Sequence, residues 1–184
     1  MLQSMSRSSA RRPVIGVMGA GESASVAECA LGERLGERIA AEGWVLLTGG
    51  RDAGVMAAAI RGAKRVEGSL TIGILPAASG LVAPGLDVAI FTGMGNARNA
   101  INVLSSRVVV ACGTGGAGTA SEVALALKSD IPVVLVGAAV SAVRFFRKLG
   151  GALRVARSDE EAIARIRDIL SESHVRFRRR PASG

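Results

Sequence analysis

Residues 108–122 read Val-Val-Val-Ala-Cys-Gly-Thr-Gly-Gly-Ala-Gly-Thr-Ala-Ser-Glu, an apolar β-branched run that breaks into glycines and passes straight into the helical pattern of Val123 to Lys128. A strand, a glycine turn and a helix in this order form the repeating unit of an α/β sheet. Gly115, Gly116 and Gly118 carry no Cβ, so backbone amides there can approach a ligand closely. The helix start beyond them offers unpaired N–H groups and a partial positive charge, which suit an anion such as phosphate. Glu122 stands in the first helical turn, within side-chain reach of such a guest. Thr114 and Thr119 flank the glycines and bring hydroxyls to the same place. A purely structural reading, a tight strand-to-helix turn, uses the same glycines.

The unit repeats along the chain. Apolar runs Val14 to Met18 and Val45 to Thr48 precede helical patterns near 25–42 and 54–66, and Thr71 to Leu75 follows. Val88 to Phe91, Val108 to Ala111 and Val133 to Val136 lead into helices near 97–106, 118–129 and 141–149, and a short strand at Arg154 to Ala156 leads into a helix near 159–171. Alternation of this kind predicts a parallel sheet with helices on both faces and ligands at the carboxyl ends of its strands. No linker divides residues 13–171, so they read as one domain, long enough to bury a core without disulfides.

Charge is concentrated at the ends. The net charge is +8, but residues 1–12 and 172–184 hold seven of the 23 bases and one of the 15 acids, leaving 16 bases against 14 acids, or +2, in between. Both tails are Ser/Arg-rich without periodicity and are read as disordered, with at most weak, salt-sensitive contact to nucleic acid. Aromatic residues make up 3% of the chain and Tyr is absent, which suits a buried parallel sheet better than a surface that binds by stacking. The apolar run Ile131 to Val143 is too short to span a bilayer. With no apolar leader and two isolated cysteines, Cys29 and Cys112, a reducing cytoplasmic location is expected.

Three more strand ends carry unusual residues. Gly19, Gly21, Glu22 and Ser23 follow the first strand; Thr48, Gly49, Gly50, Arg51 and Gly54 close the second; Met94, Gly95, Arg98 and Asn99 follow the strand ending at Phe91. Arg98 near a helix start opposes the helix dipole and calls for an anionic partner, either Glu122 or a bound phosphate. Glu122 has a competing structural reading, because Thr119-Ala120-Ser121-Glu122 fits the capping box, as do Ser25 to Glu28 and Ser158 to Glu161. Thr48 and Gly49 stand where an NAD site places its ribose-binding acid, and no glycine run is followed by Gly-Lys-Ser/Thr. The only histidine, His174, lies in the C-terminal tail, so neither a Ser-His-Asp triad nor a metal site is expected.

Taken together, Thr48-Gly49-Gly50 with Gly54-Val55-Met56, then Gly93 to Asn102, then Gly115 to Glu122 resemble the superfamily of Lonely Guy (LOG) proteins and molybdenum-cofactor carrier proteins, also described as possible lysine decarboxylases or DNA-processing-protein-related. The resemblance covers most of residues 13–171 and implies a single Rossmann-like, doubly wound, mainly parallel sheet of about seven strands. In LOG enzymes, which release the base from purine or cytokinin 5′-monophosphates, the matching Arg and Glu are catalytic, and these correspond to Arg98 and Glu122. Asn99 stands where LOG proteins carry Lys, and Cys112 replaces a proline-containing approach to the glycines. The Gly-Met-Gly-x-Ala-Arg-Asn form is similar to the carrier-type branch. The resemblance therefore implies a binding protein for a phosphorylated nucleotide-like or pterin ligand, with the molybdenum cofactor or a nucleoside monophosphate as guest, no required cofactor, and a homodimer or homotetramer. The alternative is a LOG-type phosphoribohydrolase.

Overall fold

The computed structural model describes residues 11–113 and 116–178. Seven strands, β1 Val14–Met18, β2 Val45–Thr48, β3 Leu70–Leu75, β4 Val88–Phe91, β5 Val108–Cys112, β6 Val133–Val136 and β7 Leu153–Ala156, form one sheet. The order is β4-β3-β2-β1-β5-β6-β7 and every pairing is parallel. The chain builds outward from β1 to β4, then returns to the other side of β1 to lay down β5. That reversal leaves a crevice at the carboxyl ends of β1 and β5, where a doubly wound sheet binds its ligand. The α/β architecture read from the sequence is the one observed.

Side-chain alternation along the strands divides the core in two. On β5, Val108, Val110 and Cys112 face the cluster built by helices α1 (Val26–Ala41), α2 (Gly54–Ala63) and α6 (Asp159–Arg178). Val109 and Ala111 face the opposite cluster, which holds α3 (Asn99–Leu104), α4 (Ala117–Lys128) and α5 (Val140–Lys148). β5 itself is buried on both faces, as a near-continuous apolar run in a parallel sheet should be. At the start of α1, the Ser25 side chain accepts from the Glu28 amide while Glu28 accepts from the Ser25 amide, so the capping box expected there is present.

Two boundaries differ from the sequence reading. The helix expected over 97–106 is a 3-10 turn, Gly95–Arg98, followed by the short α3. The helix expected to end at 171 runs on to Arg178, because residues 172–178 contain neither Gly nor Pro and the first breaker is Pro181. Arg12, assigned to the N-terminal tail, is tied to the fold by donating from Nε to the Gly43 carbonyl at 2.6 Å. Residues 1–10 and 179–184 lie outside the described residues.

Candidate functional site

The carboxyl ends of β1 and β2, the turn after β4 and the start of α4 enclose a cavity of about 190 Å³. From β1 come Gly19, Gly21, Glu22 and Ser23, and from β2 come Gly49 and Arg51. Gly21 faces open space: a Cβ placed there would meet nothing closer than 3.7 Å. Glu22 and Arg51 pair with each other across the rim. Gly116, Gly118 and Thr119 belong to the first turn of α4, whose N-cap, Gly116, has no capping side chain. The amides of such a turn have no partner inside the helix and are free to donate to a ligand. Among the described residues nothing lies within 4 Å of a Cβ built on Gly116 or Gly118, and both glycines line the cavity.

Arg98 and Glu122 meet at its floor. The 3-10 turn carries Arg98 inward until only 11% of its side chain is exposed, and its Nη1 lies 3.7 Å from Glu122 Oε1. The guanidinium Nε and Nη1 are buried without any hydrogen-bond partner among the described residues. Buried N–H groups of a cation are costly to leave unsatisfied, so this pair marks a place for an acceptor. Burial lowers the proton affinity of Arg98, the Glu122 charge partly restores it, and Arg51 opposes it. Gly49 makes the arrangement possible, because a Cβ there would sit 2.8 Å from Arg98 Nη2 and 2.7 Å from Met56 Sδ.

Glu122 is not a cap. α4 begins at Ala117, so Thr119 is already inside the helix and the Glu122 side chain turns away from the helix start into the floor of the cavity. There its Oε1 accepts from Asn102 Nδ2 at 2.9 Å. Burial raises the pKa of the carboxyl, while the Asn102 hydrogen bond and the Arg98 charge lower it, and burial prevails. Asn102, fully buried, was not among the residues singled out from the sequence, although its place four residues after Arg98, between Ile101 and Val103, puts both on one helical face. Its Oδ1 also lacks a partner among the described residues. Asn99 lines the cavity and donates to Ser121 Oγ at 3.0 Å, linking α3 to α4. Asn96 and Met56 also line the cavity; both fall within the stretches quoted from the sequence but were not read as site residues.

Other expected residues support the walls. Thr48 is buried and its Oγ1 accepts from the Gly50 amide at 3.0 Å, which shapes the turn after β2. Gly50, at φ +72°, packs on the Gly73 backbone. Gly54, at φ +48°, lets α2 begin directly under the Ala20 and Gly21 carbonyls, and the Val55 amide donates to Ala20 at 3.0 Å. Met94 is exposed and Gly95 lies beside it, both off the cavity. Thr114 and Gly115 lie outside the described residues. Cys112 is buried and its thiol is pushed up to about 12, chiefly by burial, which removes it as a nucleophile at neutral pH.

Solved structures with this architecture include the molybdenum cofactor binding protein of Rippkaea orientalis, 51% identical over 88% of this chain and 99% of that one, with a TM-score of 0.84. The molybdenum cofactor carrier protein of Chlamydomonas reinhardtii is 46% identical over the same shares, with a TM-score of 0.83. An uncharacterized protein of Archaeoglobus fulgidus is 46% identical over 114 residues, which span 62% of this chain and 73% of that protein. The match to the SLOG cluster4 family runs over residues 12–163, from just before β1 into α6, and the chain belongs to that family.

Proposed function

We propose that this protein is a carrier-type binding protein for a phosphorylated, nucleotide-like or pterin ligand, with the molybdenum cofactor as the leading candidate. The observation that carries the reading is Arg98, whose buried Nε and Nη1 have no hydrogen-bond partner among the described residues at the floor of a glycine-walled cavity. Similarity to two molybdenum-cofactor binding and carrier proteins over most of the chain supports the same class of guest. The residues present fit a phosphate-bearing group. Amides at Gly21, Gly49 and the first turn of α4 supply neutral donors, Arg98 supplies the charge-assisted one, and Asn99 with Ser23 borders the opening. In a carrier these groups bind and shield the ligand without changing it. A cytoplasmic homodimer or homotetramer completes the reading.

A second reading rests on Glu122. Its Oε1 is held by Asn102, which leaves Oε2 for a bound molecule, and an ionised carboxylate there can stabilise the positive charge that develops on a ribose as its base departs. On that reading the protein hydrolyses nucleoside 5′-monophosphates. The deciding experiment incubates the purified protein with AMP and follows free adenine by chromatography, while calorimetry records binding of AMP and of molybdenum cofactor released from a molybdoenzyme. The carrier reading expects binding without adenine. Adenine released by the parent and lost in Glu122→Gln would overturn it in favour of the hydrolase.

A further inference from the structure

Away from the cavity, the least balanced surface belongs to α5. From Ile131 to Ser158 the chain has no Asp or Glu but carries Arg144, Arg147, Lys148, Arg154 and Arg157. On α1, α2 and α6 the fold neutralises cations: Arg34 and Arg38 on α1, Arg61 on α2, and Arg165 and Arg167 on α6 each pair with a carboxylate. Among the described residues, Arg144, Arg147 and Lys148 have no such partner. Their spacing from Val140 aligns them in one stripe along the helix. They border a shallow depression of about 420 Å³ lined with Val140 and Val143. On the other side of the stripe, Phe145 is 57% and Leu149 49% exposed. Phe145 stands edge-on against the buried Phe146, with ring centroids 5.2 Å apart, so it is a braced anchor.

Cations flanked on both sides by exposed apolar side chains complement a surface that has both features with the opposite charge. The chain's own tails do not, since Arg7, Arg11, Arg176, Arg179 and Arg180 make them basic. Two copies meeting through α5 would set like charges against each other. We propose that α5 is a docking surface for an acidic, amphipathic segment of another protein, its apolar side chains seated beside Val140, Val143 and Phe145 and its carboxylates on Arg144, Arg147 and Lys148. α5 starts just after the carboxyl end of β6 and crosses back to the amino end of its parallel neighbour β7, so its cationic end points away from the cavity. The proposal holds whatever ligand the cavity takes.

The test uses the full-length protein and a fluorescein-labelled helical peptide of Glu, Leu and Ala, with Leu at i, i+3, i+4 and i+7 and Glu between, read by fluorescence anisotropy at about 50 mM and about 150 mM salt. Saturable binding is expected, at least about tenfold tighter than for a scrambled peptide of the same composition. Arg144→Glu with Arg147→Glu, and separately Phe145→Ser, should each weaken it by about fivefold or more, with circular dichroism and inorganic phosphate binding unchanged. Should Phe145→Ser disturb the helical signal, Val140→Ser removes the exposed apolar side chain at the depression on the same helix. Absence of binding, equal binding of the scrambled peptide, or no loss on removing the apolar anchor overturns the proposal. Tighter binding to phosphatidylserine vesicles or duplex DNA than to the peptide overturns it too.

Discussion

Arg98 ties sequence to chemistry through one glycine. Because Gly49 lacks a Cβ, the guanidinium can lie over the backbone at the end of β2, with Met56 beside it. In Gly49→Ala the new Cβ would meet the far ends of two flexible side chains, Arg98 Nη2 at 2.8 Å and Met56 Sδ at 2.7 Å. The fold can yield there, so stability should change by less than about 1 kcal/mol, whereas phosphate or AMP affinity, measured by calorimetry, should fall about tenfold or more as Arg98 is displaced. A large stability loss with intact binding would show the glycine to be a fold requirement alone. Glu122 gives a second expectation. Its pKa is raised from 4.5 in the folded protein, so the native state holds the proton more tightly than the unfolded chain does. Stability from this group is therefore fully present below about pH 4.5 and is lost as pH rises through the higher folded value. Thermal melts of the parent and Glu122→Gln between about pH 4.5 and 8 should show the variant gaining relative to the parent as pH rises, and a pH-independent difference would mean that Glu122 does not titrate in this window. Arg98 stood out in the sequence because a cation at a helix start opposes the dipole, and Glu122 because it follows a glycine cluster at a strand end, although its capping-box spacing alone would not have marked it. Asn102 was not, because an asparagine inside an apolar helix has no local signature of its buried partner.

Strands were legible to within a residue or so because buried parallel strands are β-branched runs, whereas helix ends depended on chemistry that spacing leaves open. Thr119 to Glu122 and Ser25 to Glu28 have the same capping pattern, yet only the second caps, since the chain enters α4 at Gly116, three residues before Thr119. At Ser158 to Glu161 the pattern is half kept: the Glu161 amide donates to Ser158 Oγ at 3.2 Å, but the Glu161 carboxylate accepts from the Arg157 amide. Beside that helix start, Asp159 fastens α6 to α1. It is 3% exposed, accepts from Arg34 Nε at 2.9 Å and also accepts from Arg38. Burial pushes the Asp159 carboxyl up, but the hydrogen bonds from Arg34 and Arg38 outweigh it and hold the pKa below the ordinary 3.8. The folded state thus binds this proton less tightly than the unfolded chain. The resulting stability is present above about pH 3.8 and lost as pH falls through the lower folded value. With Arg34 and Arg38 about half exposed, Asp159→Asn should cost about 1–3 kcal/mol near neutral pH rather than the full penalty of breaking a dry ion pair. Urea unfolding would measure it, and an unchanged midpoint would mean that apolar packing alone holds α6 on α1.

At the scale of the whole molecule, alternation of strands and helices gave the parallel sheet, but the strand order and its reversal at β1 are non-local and came from packing. So did the bare edge. β4 closes one side of the sheet, and its four residues are all exposed, including Val88, Ile90 and Phe91 at 41%, 44% and 39%. Met94, in the turn after β4, and Leu104, the last residue of α3, are 51% and 63% exposed. An unpaired edge strand with this much apolar surface is a template for association unless charge or a covering element protects it, and β4 itself carries neither Lys nor Pro. A second copy of the chain is the proposed cover. Light scattering after size exclusion should give a dimer or tetramer at micromolar concentration, and Ile90→Asp with Leu104→Asp should give a monomer that keeps its circular dichroism spectrum. The consequence reaches the cavity, because the 3-10 turn that carries Arg98 lies between β4 and α3, next to the exposed edge, where the Pro76 and Ala77 carbonyls accept from the Gly95 and Gly93 amides. Dissociation should therefore loosen Arg98 and weaken phosphate binding about fivefold or more, a loss of about 1 kcal/mol. A parent protein that is monomeric at high concentration would leave β4 without this cover, and a monomeric variant with full phosphate affinity would separate assembly from binding.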